Sequence, residues 1–178
     1  MDYKFALRCW QDKEGSENAK INVFVNDTQV LTEAEVSAES VDSPSIISFD
    51  ALGLANPNSD GSVTCSIKVV LANDYYVDAD TDRNVHIDGL AYLTKDTDSN
   101  FKKPNDAGTA DVTVTDFTSW DNFPGKQVPT NVTGDQIPAD WNESSNLFHT
   151  ITVWGGDQGV VITAPLTNIF RAPNGWVE

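Results

Sequence analysis

Four aspartates fall within nine residues of the stretch "NDYYVDADTDRN", Asn73 to Asn84: Asp74, Asp78, Asp80 and Asp82, with Tyr75 and Tyr76 directly after the first. Closely spaced carboxylates suit a hard divalent cation, because calcium takes six to eight oxygen ligands from carboxylates, carbonyls and water. Asp78, Asp80 and Asp82 alternate as the opening ligands of an EF-hand do. The sixth position of such a loop is Arg83 where glycine is required, and the twelfth is Gly89 where glutamate is required, so this is not an EF-hand. Two readings stay open: an acidic hairpin loop screened by water, or a cation site of another kind.

Other chemistries find less support. The two histidines, His86 and His149, stand in no metal-ligand spacing. No Gly-x-Ser-x-Gly elbow and no phosphate-cradling glycine loop occurs. With 27 acidic residues, pairs of carboxylates are too common to single out a glycosidase pair. No enzymatic activity is expected. The formal charge of -16, with only 11 basic residues and no basic run, speaks against nucleic acid and against anionic membrane surfaces. It favours solubility and attracts divalent cations. No apolar run approaches the length of a membrane span. The start, "MDYKFALRCW", has no secretory leader pattern, so synthesis in the cytoplasm is expected. Cys9 and Cys65 sit in alternating apolar stretches and read as buried thiols, with a disulfide between neighbouring strands left open.

The elements that must carry these residues read as β almost throughout. "YKFALRCW" alternates with a period of two, and so does "AKINVFVND". "NDTQ" then turns the chain and "QVLTEAEV" returns as a partner strand, with a short helix in "LTEAEVSAES" as the lesser alternative. "PSIISFDAL" is another short β run. "SVTCSIKVVLA" is the strongest strand, rich in β-branched residues, and "VHIDGLAYLT" follows the acidic loop. From Lys95 the texture changes to a polar, turn-rich boundary, "KDTDSNFKKPNDAGT". "ADVTVTDFTSW" alternates again, and "PGKQVPTNVTGDQIPADWNESS" looks irregular. "HTITVWG" and "GVVITAPL", separated by "GDQ", read as a hairpin. Short strands joined by turns, with almost no helix, make an all-β protein: an antiparallel β-sandwich, jelly-roll-like, with a β-rich C-terminal segment. The division is 1–95 for the sandwich and 96–178 for the extension, packed on the first part or forming an anchoring region.

The run "VVLANDYYVDADTDRNVHIDGLAYL" resembles the calcium-dependent, xylan-binding type of carbohydrate-binding module. The matching pieces are Asn73-Asp74-Tyr75-Tyr76, Asp78 to Thr81, Asp82-Arg83-Asn84, and Val85 to Asp88. "AKINVFVNDTQV" is similar to a hairpin of that family, and "GSEN" to its approach. The likeness spans roughly Tyr3 to Leu93; nothing from Lys95 onward matches it. It implies a sandwich holding Ca2+ in a loop, with sugar hydroxyls completing the coordination. Asp74, Asp78, Asp80 and Asp82 become the implied ligands, with Glu17 from the first loop. Tyr75 and Tyr76 flank the sugar, and Arg83 ties the loop through carboxylates. Asn84 and Asp88 are structural. Gly89 and His86 depart from the family, standing where it places aromatic residues.

Trp120, Trp141, Trp154 and Trp176 are not taken as sugar contacts, since tryptophan in a sandwich more often packs. Only Trp176, on a polar tail, is expected to meet a partner. The resulting expectation is a non-catalytic virion surface protein: a phage head decoration, fibre or tail component that binds polysaccharide. The alternative is an extracellular carbohydrate-binding module of a polysaccharide-degrading system. Expected partners are a cell-surface or plant-type polysaccharide, other virion proteins and further copies of the chain.

Overall fold

A computed structural model describes residues 2–54, 63–95, 99–105, 107, 109–127, 131–134, 150–156 and 158–166 of the chain. All regular structure among them is β apart from one 3-10 turn, Trp120–Asn122. The strands in chain order are β1 (Tyr3–Asp12), β2 (Ala19–Val25), β3 (Thr28–Val36), β4 (Ser45–Ala51), β5 (Val63–Leu71), β6 (Tyr76–Asp78) and β7 (Thr81–Asp82). They continue with β8 (Asn84–Thr94), β9 (Lys102–Pro104), β10 (Asp111–Thr113), β11 (Gly125–Gln127), β12 (Asn131–Gly134), β13 (Ile151–Val153) and β14 (Val160–Leu166). All pairings are antiparallel.

Two sheets form the body. One runs β11-β8-β1-β4, with β13 also on β8; the other runs β12-β14-β5-β2-β3. β2 and β5 alternate buried and half-buried or exposed positions along their whole length, as strands with one face on a core must. Their buried side chains Ile21, Val23, Ile67 and Val69 join Phe5, Leu7, Ile87 and Leu90 of the other sheet in one apolar cluster. Within it Tyr3, Phe5, Phe49 and Tyr92 make a chain of ring contacts. Cys9 and Cys65 lie inside, on different sheets and unpaired, and burial pushes both thiols up to about 12.

The β2–β3 hairpin closes as its sequence demands. Asn26 and Asp27 both take positive φ, 45° and 66°, the two-residue turn that matches strand twist. The helix considered for residues 31–40 does not form. Pairing of β3 with β2 outweighs the helix preference of its alanine and glutamates.

The expected hairpin of residues 149–166 is overturned. β13 pairs with β8 in one sheet, while β14 pairs with β5 and β12 in the other. The glycine-rich link between them is therefore a crossing from sheet to sheet. Gly159, at φ 58°, needs to be glycine: a Cβ there would stand 2.2 Å from the Val69 carbonyl oxygen. Strands from both halves of the chain share each sheet. β11 and β13 extend the sheet built on β1 and β8, and β12 and β14 extend the sheet built on β2 and β5.

β8 changes character midway. Its burial alternates up to Asp88 and then becomes continuous. The cause is a second layer over the outer face of its sheet, carried by Phe101, Phe117 and Trp120. Phe101, Phe117 and Phe123 form a ring cluster, and the Lys4 ammonium lies 4.3 Å from the Phe117 ring centre. Trp120 lies directly on Gly89. Gly89 thus has a packing role: it makes room for an aromatic ring that arrives from elsewhere in the chain.

Candidate functional site

Loops 13–18, 37–44, 72–83 and 154–159 gather at one end of the sandwich, because the strands they join finish there in register. The acidic stretch folds as a small hairpin, β6 against β7, standing on that end.

Its foundation is Arg83, only 4% exposed. Nη1 donates to the Asn73 carbonyl at 2.6 Å, while Nε and Nη2 both donate to the Glu14 carbonyl. The Arg83 backbone amide donates to the Tyr75 carbonyl at 2.9 Å. The guanidinium lies 5.4 Å from the centre of the Tyr75 ring. A buried cation needs polar partners. Each of the three guanidinium nitrogens of Arg83 finds one on the main chain of two loops, and the expectation that it ties the loop through carboxylates is corrected. Main-chain carbonyls at loop bends have no ladder partner, so they compete well for its donors. Gly15, at φ 76°, leaves room for the guanidinium; a Cβ there would stand 3.2 Å from Nη2.

Asn73 prolongs the β2–β5 ladder with its side chain. Oδ1 accepts from the Lys20 amide at 2.7 Å and Nδ2 donates to the Asn18 carbonyl at 2.9 Å. Gln11 and Asn18 continue this polar belt, joined at 2.9 Å.

The implied metal ligands occupy different places. Asp74 lies against Gly155, where a Cβ would meet its carboxylate. Asp78 accepts from the Asp80 amide at 3.1 Å, an Asx turn at the hairpin tip. Asp82 accepts from Asn84 Nδ2 at 3.3 Å, and Glu17 from Lys20 Nζ at 3.4 Å. Among the described residues no three His, Cys, Asp or Glu side chains form a group that could hold a metal ion.

The aromatic residues do share this end. Tyr75, Tyr76 and Val77 are exposed on the hairpin, Tyr76 at 64%. Trp154 is also exposed, and contact of its neighbour Gly155 with Asp74 sets its loop beside the hairpin. The sequence analysis set Trp154 aside because tryptophan in a sandwich more often packs. β13 stops at Val153, which frees the indole. Trp141 and Trp176 lie outside the described residues.

A second cluster went unread. His86 Nε2 stands 2.8 Å from Asp12 Oδ2, Nδ1 stands 3.0 Å from Thr152 Oγ1, and the ring stacks on Trp10. The Asp12 carboxylate oxygen accepts in the first contact, and the direction of the second follows the form of the imidazole. This chain of contacts fastens β1, β8 and β13 together just below the loop end. The signal available was period two: Trp10 and Asp12 share a face of β1. Nearby, Arg8 Nε and Asp88 Oδ1 face each other at 3.4 Å, and burial holds the Asp88 carboxyl above its usual range.

No protein-family model matches the chain, and no curated protein or solved structure gives a match. No helix among the described residues is long and apolar enough to cross a membrane.

Proposed function

We propose that this protein is a non-catalytic recognition protein of a virion surface, a head decoration, fibre or tail component, that binds glycan through the loop end of its β-sandwich. The observation that carries the reading is the exposed trio Tyr75, Tyr76 and Trp154 beside a hairpin whose base is fixed by buried Arg83. Aromatic faces exposed on a braced support suit the apolar faces of sugar rings, and bracing spares the ligand the entropy of ordering the site. The acids around them offer acceptors for sugar hydroxyls.

Ca2+ is a separate part of the proposal. The sugar contacts proposed here rest on the aromatic faces and do not depend on the ion. Asp78 and Asp80, on the exposed tip, are the groups that would hold the ion, and calcium would supply a hard Lewis acid beside the tyrosines.

Binding to immobilised bacterial and plant polysaccharides, with calcium and with chelator, tests both parts. A Tyr76→Ala/Trp154→Ala variant is expected to lose about tenfold or more in affinity, since each ring contact contributes about 0.5–1.5 kcal/mol beyond area burial. Its melting temperature should stay near that of the parent, because both side chains are exposed. A parent that binds no glycan in either buffer, or a variant that binds equally well, would end the glycan reading. Calcium should raise the melting temperature of the parent and leave Asp78→Asn/Asp80→Asn unmoved. Equal shifts in both would remove calcium from the hairpin. Hydrolase domains encoded in the same reading frame would favour the polysaccharide-degrading alternative over the virion.

A further inference from the structure

The strands that bound the two sheets differ in how their outer edges are guarded. An unpaired edge strand is a template for another chain, and proteins blunt it with short length, charge, bulges or irregular backbone. β3 is blunted: its pairing with β2 breaks register twice, Glu33 takes φ 49°, and Glu33 and Glu35 add charge. β12 spans four residues and ends at Gly134 with φ 121°. β11 and β13 span three residues each.

β4 has none of these devices. It is seven residues long, holds unbroken register with β1 from Tyr3↔Ala51 to Cys9↔Ser45, and contains no Pro or Gly. Its sequence, Ser-Ile-Ile-Ser-Phe-Asp-Ala, has one charge, and Lys4 pairs with that Asp50 at 2.6 Å. Among the described residues β4 pairs only with β1. Besides Tyr75, Tyr76, Val77 and Trp154, the large apolar residues that stand exposed among the described residues are Val41, Leu52 and Val112. Val41 and Leu52 flank β4, one beyond each end.

We infer that the outer edge of β4 pairs antiparallel with β4 of a second copy about a two-fold axis, making a dimer whose two sheets become continuous. Such a contact is self-complementary, as a two-fold interface must be. With the axis at Ile47, that residue meets its own copy on the core side, and Ile46 meets Ser48 on the outer side. The two Asp50 side chains stay apart. Antiparallel pairing brings Val41 of one copy to the Leu52–Leu54 stretch of the other. There β3 and β4 leave a groove of about 700 Å³ with Val30, Leu31, Phe49 and Leu54 in its walls. The flanking residues exposed in one copy are thereby covered in two. Each chain carries a net charge of -16, so copies approach where the surface is least charged, and Ser45 to Phe49 of β4 carries no charged side chain.

The test is the mass in solution of the full chain by sedimentation equilibrium across a concentration series. The expected value is twice the 19.4 kDa of one chain. Val41→Asp/Leu52→Asp changes only exposed side chains and should give the single-chain mass with unchanged circular dichroism. Val112→Asp, exposed on β10, a strand that pairs with β9 and not with β4, adds one like charge and should remain dimeric. Amide exchange of residues 45–51 should be slow in the parent and faster in the Val41/Leu52 variant. A single-chain mass for the parent at every concentration overturns the inference. So does a dimer that the Val41/Leu52 variant leaves intact, or one that Val112→Asp dissociates equally.

Discussion

Replacing Arg83 with alanine is expected to remove about 3 kcal/mol of stability, the largest loss from any single side chain at the loop end. A hydrogen bond involving a charged group contributes about 1.5–3 kcal/mol net, and the guanidinium makes three such contacts to two carbonyls. These contacts share one group, so their contributions do not simply add. Truncation leaves the Glu14 and Asn73 carbonyls without a partner and takes away the cation from beside Tyr75. For a chain of this size the loss corresponds to a fall in melting temperature of about 6–12 °C. Arg83→Lys should recover less than half of it, because one ammonium on a flexible stem cannot reproduce a planar fork. Hydrogen exchange locates the effect: residues 75–82 should lose protection in the alanine variant while β1 and β5 keep theirs. A change below about 0.5 kcal/mol, the range of ordinary surface substitutions, would show that the hairpin is held by something else.

Gly89→Ala is expected to cost about 1–3 kcal/mol, the usual range for overfilling a packed site. The added Cβ would stand 2.8 Å from two carbons of the Trp120 ring and 3.2 Å from Arg8 Cβ, closer than such atoms approach. Gly89 pairs with Arg8 of β1, and the next residue, Leu90, pairs with Gln127 of β11, so the strand is held here and the indole must move. Displacing it loosens the layer of Phe101, Phe117 and Trp120 from the outer face of the sheet. A double-mutant cycle distinguishes this from a loss of sheet pairing. In a Trp120→Ala background the cost of Gly89→Ala should largely vanish. An unchanged cost there would place the strain in the strand and not against the tryptophan.

The fold class was legible because period two survives wherever one face of a strand meets the core. β1, β2 and β5 each announce themselves this way, and the Asn26-Asp27 turn supplies its own backbone chemistry. Partner choice is another matter. "ITV" and "GVVITAPL" read as adjacent strands because alternation says nothing about which neighbour a strand will find. In the link between them Gly159 serves a close approach to Val69 and Gly155 one to Asp74, not a tight hairpin. At the loop end the tyrosines were readable, since two exposed rings in an acidic loop are an unusual expense of apolar surface. The Arg83 anchor was not. An arginine among aspartates suggests ion pairs, and only three-dimensional placement shows that it has been taken below the acids to the main chain. Trp154 was set aside on the packing habit of tryptophan, and the point at which β13 ends is what exposes it.

The pairing of β1 with β8, Tyr3 opposite Thr94, and of β5 with β14, Val63 opposite Leu166, has a consequence for how the molecule comes into being. Neighbouring segments close few of these contacts, so chain-closure entropy is spent before the core repays it, and such topologies form slowly. On the ribosome, β5 would emerge long before β14 exists to cover it. The nascent chain therefore carries β5 with only its β2 edge paired until the residues of β14 have been made, and aggregation during synthesis is a hazard this topology brings.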